Sequence, residues 1–581
     1  MLSRLNLEII KNSNLKKLNK IVNLIRSFII SSVSKTGGHI GANLATIELT
    51  VALHKFFNSP IDKILFDTGH QGYTHKILTG RISRFSSLNS YKGLSRFLNR
   101  SESQHDIIDA SHAGTALSIG SGLAFQNINK KKRVCVVCGD GSFNSGMAFE
   151  ALSFLADKKI PLTIVINDNE MSIDKNVGAI KNLFNKESNK RAKFFFKSMG
   201  FDYYFVKNGH NVGNILKALN RSKSSKNIPV IHVKTIKGKG IEFSKAHKYK
   251  LHFSTPFDPK TGIGISSFPL GNTYSNFLSV KLESLLKKNK KVFLITPATP
   301  YASNLEKLID KYPNRVVDVG IAEQHSIGFA SGLSLNNFKP IVCIQSTFLQ
   351  RAYDQLLHDF AFMKIPATIL SNRSGFAGYD SPTHHALYDI AYLRSIPNLE
   401  IYYPLTIKKT IDLIKKKLTN KSINPQIILQ PYEIIEKNIE EIVLSTSNKY
   451  SKELIQITRN KKEKLIIVCL PNLLSKCIQI YKNNKFKFSL IVVQKIKPFP
   501  VLEFKKKIKE AKKIVVVEEG TISGGLGSII SEIITDFNLD KQLLRLGVND
   551  KFINSGNKEE CSTEAGISIN QLEKKIMDFS R

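Results

Sequence analysis

The chain has 581 residues, 42% hydrophobic and 23% charged, with a formal net charge of +38 at pH 7. That length excludes a single small module and, at ~150 residues per domain, implies roughly three or four domains; the apolar fraction excludes an intrinsically disordered chain. Lysines are spread along the whole sequence, in short runs such as 130–133 and 287–291, which reads as a basic solvated surface rather than the clustered cations of a nucleic-acid-binding patch.

Lys, Arg, Asn or Asp interrupts every apolar run, so no segment reaches the ~18 residues a membrane-spanning helix needs. Residues 1–20 read as one amphipathic helix, without the apolar core and small-residue cleavage site of an export signal. Cys135, Cys138, Cys343, Cys469, Cys477 and Cys561 are scattered over the chain and make no disulfide framework, which points to a reducing compartment.

The predicted elements alternate. Apolar, β-branched runs at 133–140, 161–169 and 229–236 are separated by helical patterns, the signature of a parallel sheet covered by helices on both faces. A polar stretch to about 275 follows. The pattern resumes with strands at 292–298, 315–320, 340–346 and 366–372, ending near 445. After the polar linker 445–453, a third set lies at 464–470, 488–494 and 513–519. The expectation is three tandem α/β domains with mostly parallel sheets, spanning 1–275, 285–445 and 455–581.

The strongest chemical signal is Gly139-Asp140-Gly141 at the end of one buried strand, with Asn169 at the end of the next. A single helical crossover brings two such strand ends together, where open α/β sheets bind ligands. The glycines let backbone approach a phosphate, and Asp140 and Asn169 offer the hard oxygens that Mg²⁺ shares with phosphates. GDG alone is equally a tight turn; the paired motif is what points to a diphosphate-bound Mg²⁺. Cys135 and Cys138 have half-zinc-site spacing but lie inside a strand with no second pair, and read as core thiols. The Gly-rich stretch 518–527 reads as a strand-to-helix turn.

Gly139-Asp140-Gly141 through Asn167-Asp168-Asn169 resembles the diphosphate motif of thiamine-diphosphate enzymes of the transketolase group. Segments 34–54, 66–81, 93–106, 167–180, 318–333 and 346–359 are similar to the 1-deoxy-D-xylulose-5-phosphate synthase family, and the likeness runs from about residue 20 to 560. It implies a transketolase-type fold, bound thiamine diphosphate and Mg²⁺, and the joining of pyruvate to glyceraldehyde 3-phosphate with loss of CO₂, feeding isoprenoid precursors. It implies a homodimer in the bacterial cytoplasm, each active site lying between the first two domains, with small-molecule substrates and no nucleic-acid or membrane partner.

Carried over residue by residue, the resemblance makes Glu323 the carboxylate on the cofactor's aminopyrimidine and Phe348 the aromatic packed on that ring. Ile173 lies beneath the bent cofactor. Asp140, Asn169 and the Met171 carbonyl ligate the metal, while Gly139, Gly141, Ser142, His112 and Lys237 line the diphosphate. His39, His70, His252 and His384 belong to the substrate pocket, His70 also touching cofactor, where neutral or cationic imidazoles orient substrate and move protons. Arg351 and Arg373 match the arginines for carboxylate or phosphate, and Asp380 one that holds an acceptor hydroxyl.

Three places depart from the family pattern. Gln345 stands for the aromatic of Y-S-T-F, Leu429-Gln430-Pro431-Tyr432 for R-Y-P-R, and His112-Ala113-Gly114-Thr115 for H-S-S-T; the insertion after residue 185 is also short. The first arginine of R-Y-P-R clamps the acceptor phosphate, so a cation is missing here. Two alternatives therefore stay open at this point: a carboligase for a different aldehyde, and a non-catalytic paralogue acting as a partner subunit.

Overall fold

The computed structural model describes residues 5–125, 132–184, 189–265, 274–419, 423–432, 452–458, 464–483 and 488–581. Contacts divide the chain into two compact units, Met1–Phe268 with Gly320–Ala322, and Pro269–Val319 with Glu323–Arg581. The expected boundary near 275 follows the segment 266–273, and that segment and most of the linker 445–453 fall outside the described residues.

The first unit is built on a parallel sheet of order β1-β2-β3-β5-β4, formed by β1 (Lys63–Asp67), β2 (Val134–Gly139), β3 (Thr163–Asp168), β4 (Asp202–Val206) and β5 (Pro229–Lys234). Strands β2 and β3 lie in its interior and are almost wholly apolar because both faces are covered. Alternation along β2 sends Cys135 and Val137 into one apolar cluster and Val136 and Cys138 into another. Residues three apart in a strand face opposite ways, so Cys135 and Cys138 do not share a ligand site. Burial pushes both thiols up.

The chain start differs from the single helix expected. Asn6 caps a short helix Leu7–Asn12 through Ile9 N (2.9 Å), and Asn14 caps a second, Leu15–Thr36, through Lys17 N (2.9 Å); each such cap is worth ~1 kcal/mol. The polar stretch after β5 is not a free linker either. Ile241, Leu251 and Phe257 enter the first unit's core, which brings the loop around His252 back over the sheet.

In the second unit β6 (Val292–Thr296), β7 (Val316–Asp318), β8 (Lys339–Gln345), β9 (Thr368–Ser374), β10 (Glu400–Tyr402) and β11 (Gln426–Pro431) form a parallel sheet of order β10-β11-β9-β8-β6-β7. A third sheet, β12-β14-β13-β16-β17, contains β12 (Leu454–Thr458), β13 (Leu465–Cys469), β14 (Ser489–Val493), β16 (Lys513–Thr521) and β17 (Gln542–Val548); only β12 runs antiparallel. Between β14 and β16, β15 (Lys495–Lys497) leaves that sheet and adds antiparallel to β10 of the other. One core cluster joins Ile369 and Leu429 to Ile466 and Val516, so the two sheets share buried surface.

The Gly-rich stretch is a strand-to-helix turn, as expected. The N-terminus of the helix Leu526–Asp536 is taken by the chain's own Glu518, which accepts from Leu526 N (2.7 Å) and Gly527 N (2.9 Å), leaving no bare anion site there. No helix among the described residues is long and apolar enough to cross a membrane.

An irregular segment of the first unit, residues 79–106, is held by buried charge. Arg81 forms a fork onto Asp106 (2.6 and 2.7 Å), His75 bonds Asp106 (3.1 Å) and His54 (2.9 Å), and Lys76 pairs with Glu102. Removing one partner of such a pair strands the other charge in low dielectric, at ~3–5 kcal/mol. Asp106→Ala is therefore expected to destabilise the first unit by about that amount, read as a lower urea midpoint. The double variant Arg81→Ala/Asp106→Ala should recover part of the loss.

Candidate active site

Pairing of Gly139 with Asn167 in the β2–β3 ladder sets the ends of these strands side by side, with Asp140 just past one and Asn169 just past the other. Asp140 Oδ2 accepts from Asn176 Nδ2 at 2.7 Å, whereas Asp140 Oδ1 and Asn169 Oδ1 are both buried with no hydrogen-bond partner among the described residues. Burial and the neighbouring Asp168 carboxylate push Asp140 well above the usual carboxylate range. Two orphaned hard oxygens, one on a carboxylate held at such a cost, fit a divalent cation. Among the described residues no three His, Cys, Asp or Glu side chains converge on a metal, so an ion here needs further oxygens from carbonyls and a bound phosphate.

Neighbouring groups brace this end. Asp168 is tied to His232 (2.6 Å) and Lys234 (2.9 Å), and His232 to Tyr203 (2.6 Å). Lys237 donates to Ser172 O at 2.6 Å; burial pushes its ammonium down to about 7, against the pull of Asp140. The steric demand for glycine falls on Gly141, where a Cβ would lie 2.6 Å from Ser172 Cβ, and not on Gly139, where the nearest atom would be 3.8 Å away. Ser142 Oγ faces Asp67 (3.3 Å). His112 lies in the loop before the helix Ala116–Phe125, and Met171 and Ile173 in the turn closed by the Met171–Lys175 bridge.

Three of the four expected histidines meet. The ring centroids of His39, His70 and His252 lie 5.1–5.4 Å apart, with Phe97 5.3 Å from His39. The cause is local: Gly38 and Ser254 exchange backbone bonds of 2.9 Å, and Gly41 packs so closely that a Cβ would sit 2.0 Å from Lys250 O. Asn43, which sequence reasoning missed, is the pin. Its amide donates to His39 O and His70 O (both 2.7 Å) while its oxygen accepts from Tyr73 N (2.7 Å). Burial, helped by Lys237, lowers His70 to about 3 and His252 well below the ordinary value. Of the two protonation states expected, these imidazoles hold the neutral one.

In the second unit Glu323 opens the helix Glu323–Leu335, its carboxylate 3.7 Å from Arg351. It is 5% exposed, and burial raises its pKa against the Arg351 charge. Phe348 stands edge-on to His384, centroids 5.6 Å apart. Beneath them Asp389, another residue missed in the sequence, accepts from Ser374 (2.9 Å) and from Ser346, and burial pushes it up to about 6.

Two of the departures from the family pattern, Gln345 and residues 429–432, lie at the carboxyl ends of β8 and β11, on either side of β9. Leu429 packs into the apolar core. Strand alternation sends Gln430 to the opposite face, the face of Gln345 and Asn372, which pair in register. Gln345 donates to Tyr301 Oη (3.3 Å) and Asn372 to Ser303 Oγ (2.5 Å), whereas Gln430, 1% exposed, has no partner for either amide atom. Each orphaned group costs about 1–3 kcal/mol. Between the pairs Leu429–Ser371 and Pro431–Ser374 the register shifts, so that Asn372 and Arg373 face Gln430 alone. Arg373 absorbs this bulge at φ 64°, a strain of about 1–3 kcal/mol for a non-glycine residue. Its guanidinium lies over the rings of Tyr432 (4.6 Å) and Tyr301 (5.6 Å), in the field of Asp380.

Residues 4–194 match the family model described as 1-deoxy-D-xylulose-5-phosphate synthase, 272–435 the transketolase pyrimidine-binding domain, and 455–572 the transketolase C-terminal domain. The chain is 35% identical to the 1-deoxy-D-xylulose-5-phosphate synthase of Caldanaerobacter subterraneus subsp. tengcongensis, covering 98% of this chain and 97% of that protein. It is likewise 35% identical to those of Alkaliphilus oremlandii (99% and 98% covered) and Listeria monocytogenes serotype 4b (98% and 95%). With matching models along most of its length and relatives of this identity end to end, the chain belongs to the 1-deoxy-D-xylulose-5-phosphate synthase family, with a transketolase-type α/β fold.

Proposed function

We infer that the chain catalyses the reaction of its family: pyruvate is decarboxylated and its remaining two-carbon unit joined to D-glyceraldehyde 3-phosphate, giving 1-deoxy-D-xylulose 5-phosphate and CO₂ for isoprenoid precursor synthesis. The cofactor is thiamine diphosphate with a divalent metal, typically Mg²⁺. The observation that carries this reading is the pair of buried, unpartnered oxygens, Asp140 Oδ1 and Asn169 Oδ1, at adjacent strand ends. When bound, thiamine diphosphate supplies the electron sink for decarboxylation.

The chain's own groups bind, orient and move protons. Asp140, Asn169 and the Met171 carbonyl would hold the metal, and Gly139, Gly141, Ser142, His112 and Lys237 the diphosphate. Glu323, its carboxyl raised by burial, suits sharing a proton with the aminopyrimidine ring, against which Phe348 would pack, with Ile173 beneath the cofactor. His39, His70 and His252 are suited to orient substrate by hydrogen bonds, since a neutral imidazole both donates and accepts; His384 would also contact substrate. Arg351 and Arg373 would bind the anionic groups of the substrates and Asp380 an acceptor hydroxyl.

We read the working form as a cytoplasmic homodimer in a bacterium. Six buried free cysteines support a reducing compartment, and in the second unit the exposed apolar side chains of Leu335, Leu357, Phe362 and Met363 suit contact with a second copy.

The deciding assay is anaerobic incubation with thiamine diphosphate, Mg²⁺ and pyruvate, following CO₂ with and without glyceraldehyde 3-phosphate and identifying product by mass. Release of CO₂ accelerated by the aldehyde, with deoxyxylulose phosphate formed, is the expected result; no CO₂ from pyruvate would contradict the reading. Glu323→Gln should lower kcat about 10²–10⁴-fold, the usual worth of a positioned acid–base group. Asn176→Ala, which removes the donor orienting Asp140, should raise the Mg²⁺ concentration for half-maximal activity about 10–100-fold.

A further inference from the structure

The acceptor end of the second unit holds a combination that the family motif does not contain. Arg373 has no carboxylate within salt-bridge distance among the described residues, and two tyrosine rings flank it. Facing it across the β9 bulge is Gln430, a fully buried amide with neither atom partnered among the described residues. The row Gln345, Asn372, Gln430 runs across three adjacent strands at their carboxyl ends, the place where parallel sheets bind ligands. A guanidinium with no ion pair among the described residues, beside an orphaned amide and tyrosine hydroxyls, makes a donor-rich cluster with one positive charge. It fits an oxyanion, and a tetrahedral phosphate monoester better than a planar carboxylate, because the donors come from two strands and the Pro300–Ser303 turn rather than from a single fork.

We propose that Gln430 is a specificity-determining residue of this chain, its buried amide hydrogen-bonding the phosphate monoester that Arg373 pairs with, in place of a second cation. The proposal rests on the carboligase reading for the identity of the acceptor. Leu429, at the position of the family's clamping arginine, faces the core and contributes nothing to the ligand. Selectivity for a phosphorylated over an unphosphorylated aldehyde then depends on one charge and a set of neutral donors.

The same orphaned amide predicts an opposite effect on stability, since a buried polar group without a partner weakens the ligand-free fold. Gln430→Leu should therefore raise the Tm of the ligand-free protein while weakening ligand binding. The rise in Tm follows from the missing partner alone, and the loss of ligand binding is what separates a ligand-facing amide from a structural one.

The test is calorimetric titration of the holoenzyme, loaded with thiamine diphosphate and Mg²⁺, with glycerol 3-phosphate, glycerol and pyruvate in turn. Gln430→Leu should weaken glycerol 3-phosphate binding about tenfold, the scale of one hydrogen bond to a charged group, and more than it weakens pyruvate binding. Gln430→Glu, which keeps the shape and adds a negative charge, should weaken it further and serves if the leucine variant folds poorly. In kinetics the ratio of kcat/KM for D-glyceraldehyde 3-phosphate to that for D-glyceraldehyde should fall in both variants. Equal glycerol 3-phosphate affinity in parent and variants, a larger effect on pyruvate, or a lowered Tm with binding intact would overturn the proposal. If the parent binds glycerol 3-phosphate through Gln430 yet forms no deoxyxylulose phosphate, the carboligase reading fails and the phosphate subsite stands. If it forms that product without any dependence on Gln430, the subsite fails alone.

Discussion

Asp140 and Asn169 each keep a buried oxygen without a hydrogen-bond partner, and much of the first unit serves to hold them so. Parallel pairing of β2 with β3 sets the two residues at neighbouring strand ends, and the chain from Tyr203 through His232 to Asp168 fixes the end of β3. Asn176 turns the Asp140 carboxylate so that one oxygen is used and the other is not. Left to itself the arrangement is unfavourable, because a buried carboxylate repelled by Asp168 is driven toward its protonated form. On the proposed reading a divalent cation with diphosphate oxygens would reverse that penalty, so that strain in the free protein and affinity for the metal-bound cofactor would have one origin.

The histidine cluster follows a different rule. Close backbone approach of the Gly37–Gly41 segment to residues 250–254 packs three imidazoles and Phe97 together, and the lost solvation holds His70 and His252 neutral. Neutral imidazoles offer hydrogen-bond direction rather than charge. In the second unit the positive charge lies on Arg351 beside Glu323 and on Arg373, the latter carried on a strained bulge. The orphaned amide of Gln430 and the φ of Arg373 both lower stability locally, at the carboxyl ends of the strands, where such departures from local rules concentrate in enzymes.

The architecture was largely legible in the sequence. Buried parallel strands carry a continuous apolar run, and the ten runs read along the chain all became strands; of those passed over, β4 is partly exposed and β10 and β15 are three residues long, whereas β1 and β11 are buried. The motifs also fell at element ends, where Gly139-Asp140-Gly141, Asn169 and Glu323 sit as contiguous local patterns. Less visible were the residues that orient these groups. Asn43, Asn176 and Asp389 are polar residues with no distinctive spacing, and only their partners across the fold give them a role.

Local sequence by itself thus determined the elements, the parallel sheets and the short motifs that end them, since these depend on periodicity and on contiguous residues. Tertiary structure alone decided protonation and orientation: which imidazoles are neutral, which carboxylate oxygen is spare, that Leu429 turns into the core while Gln430 faces the amide row. Those properties depend on desolvation and on strand register, which are set by residues distant in the chain, and a one-residue change in register exchanges the two faces of a strand.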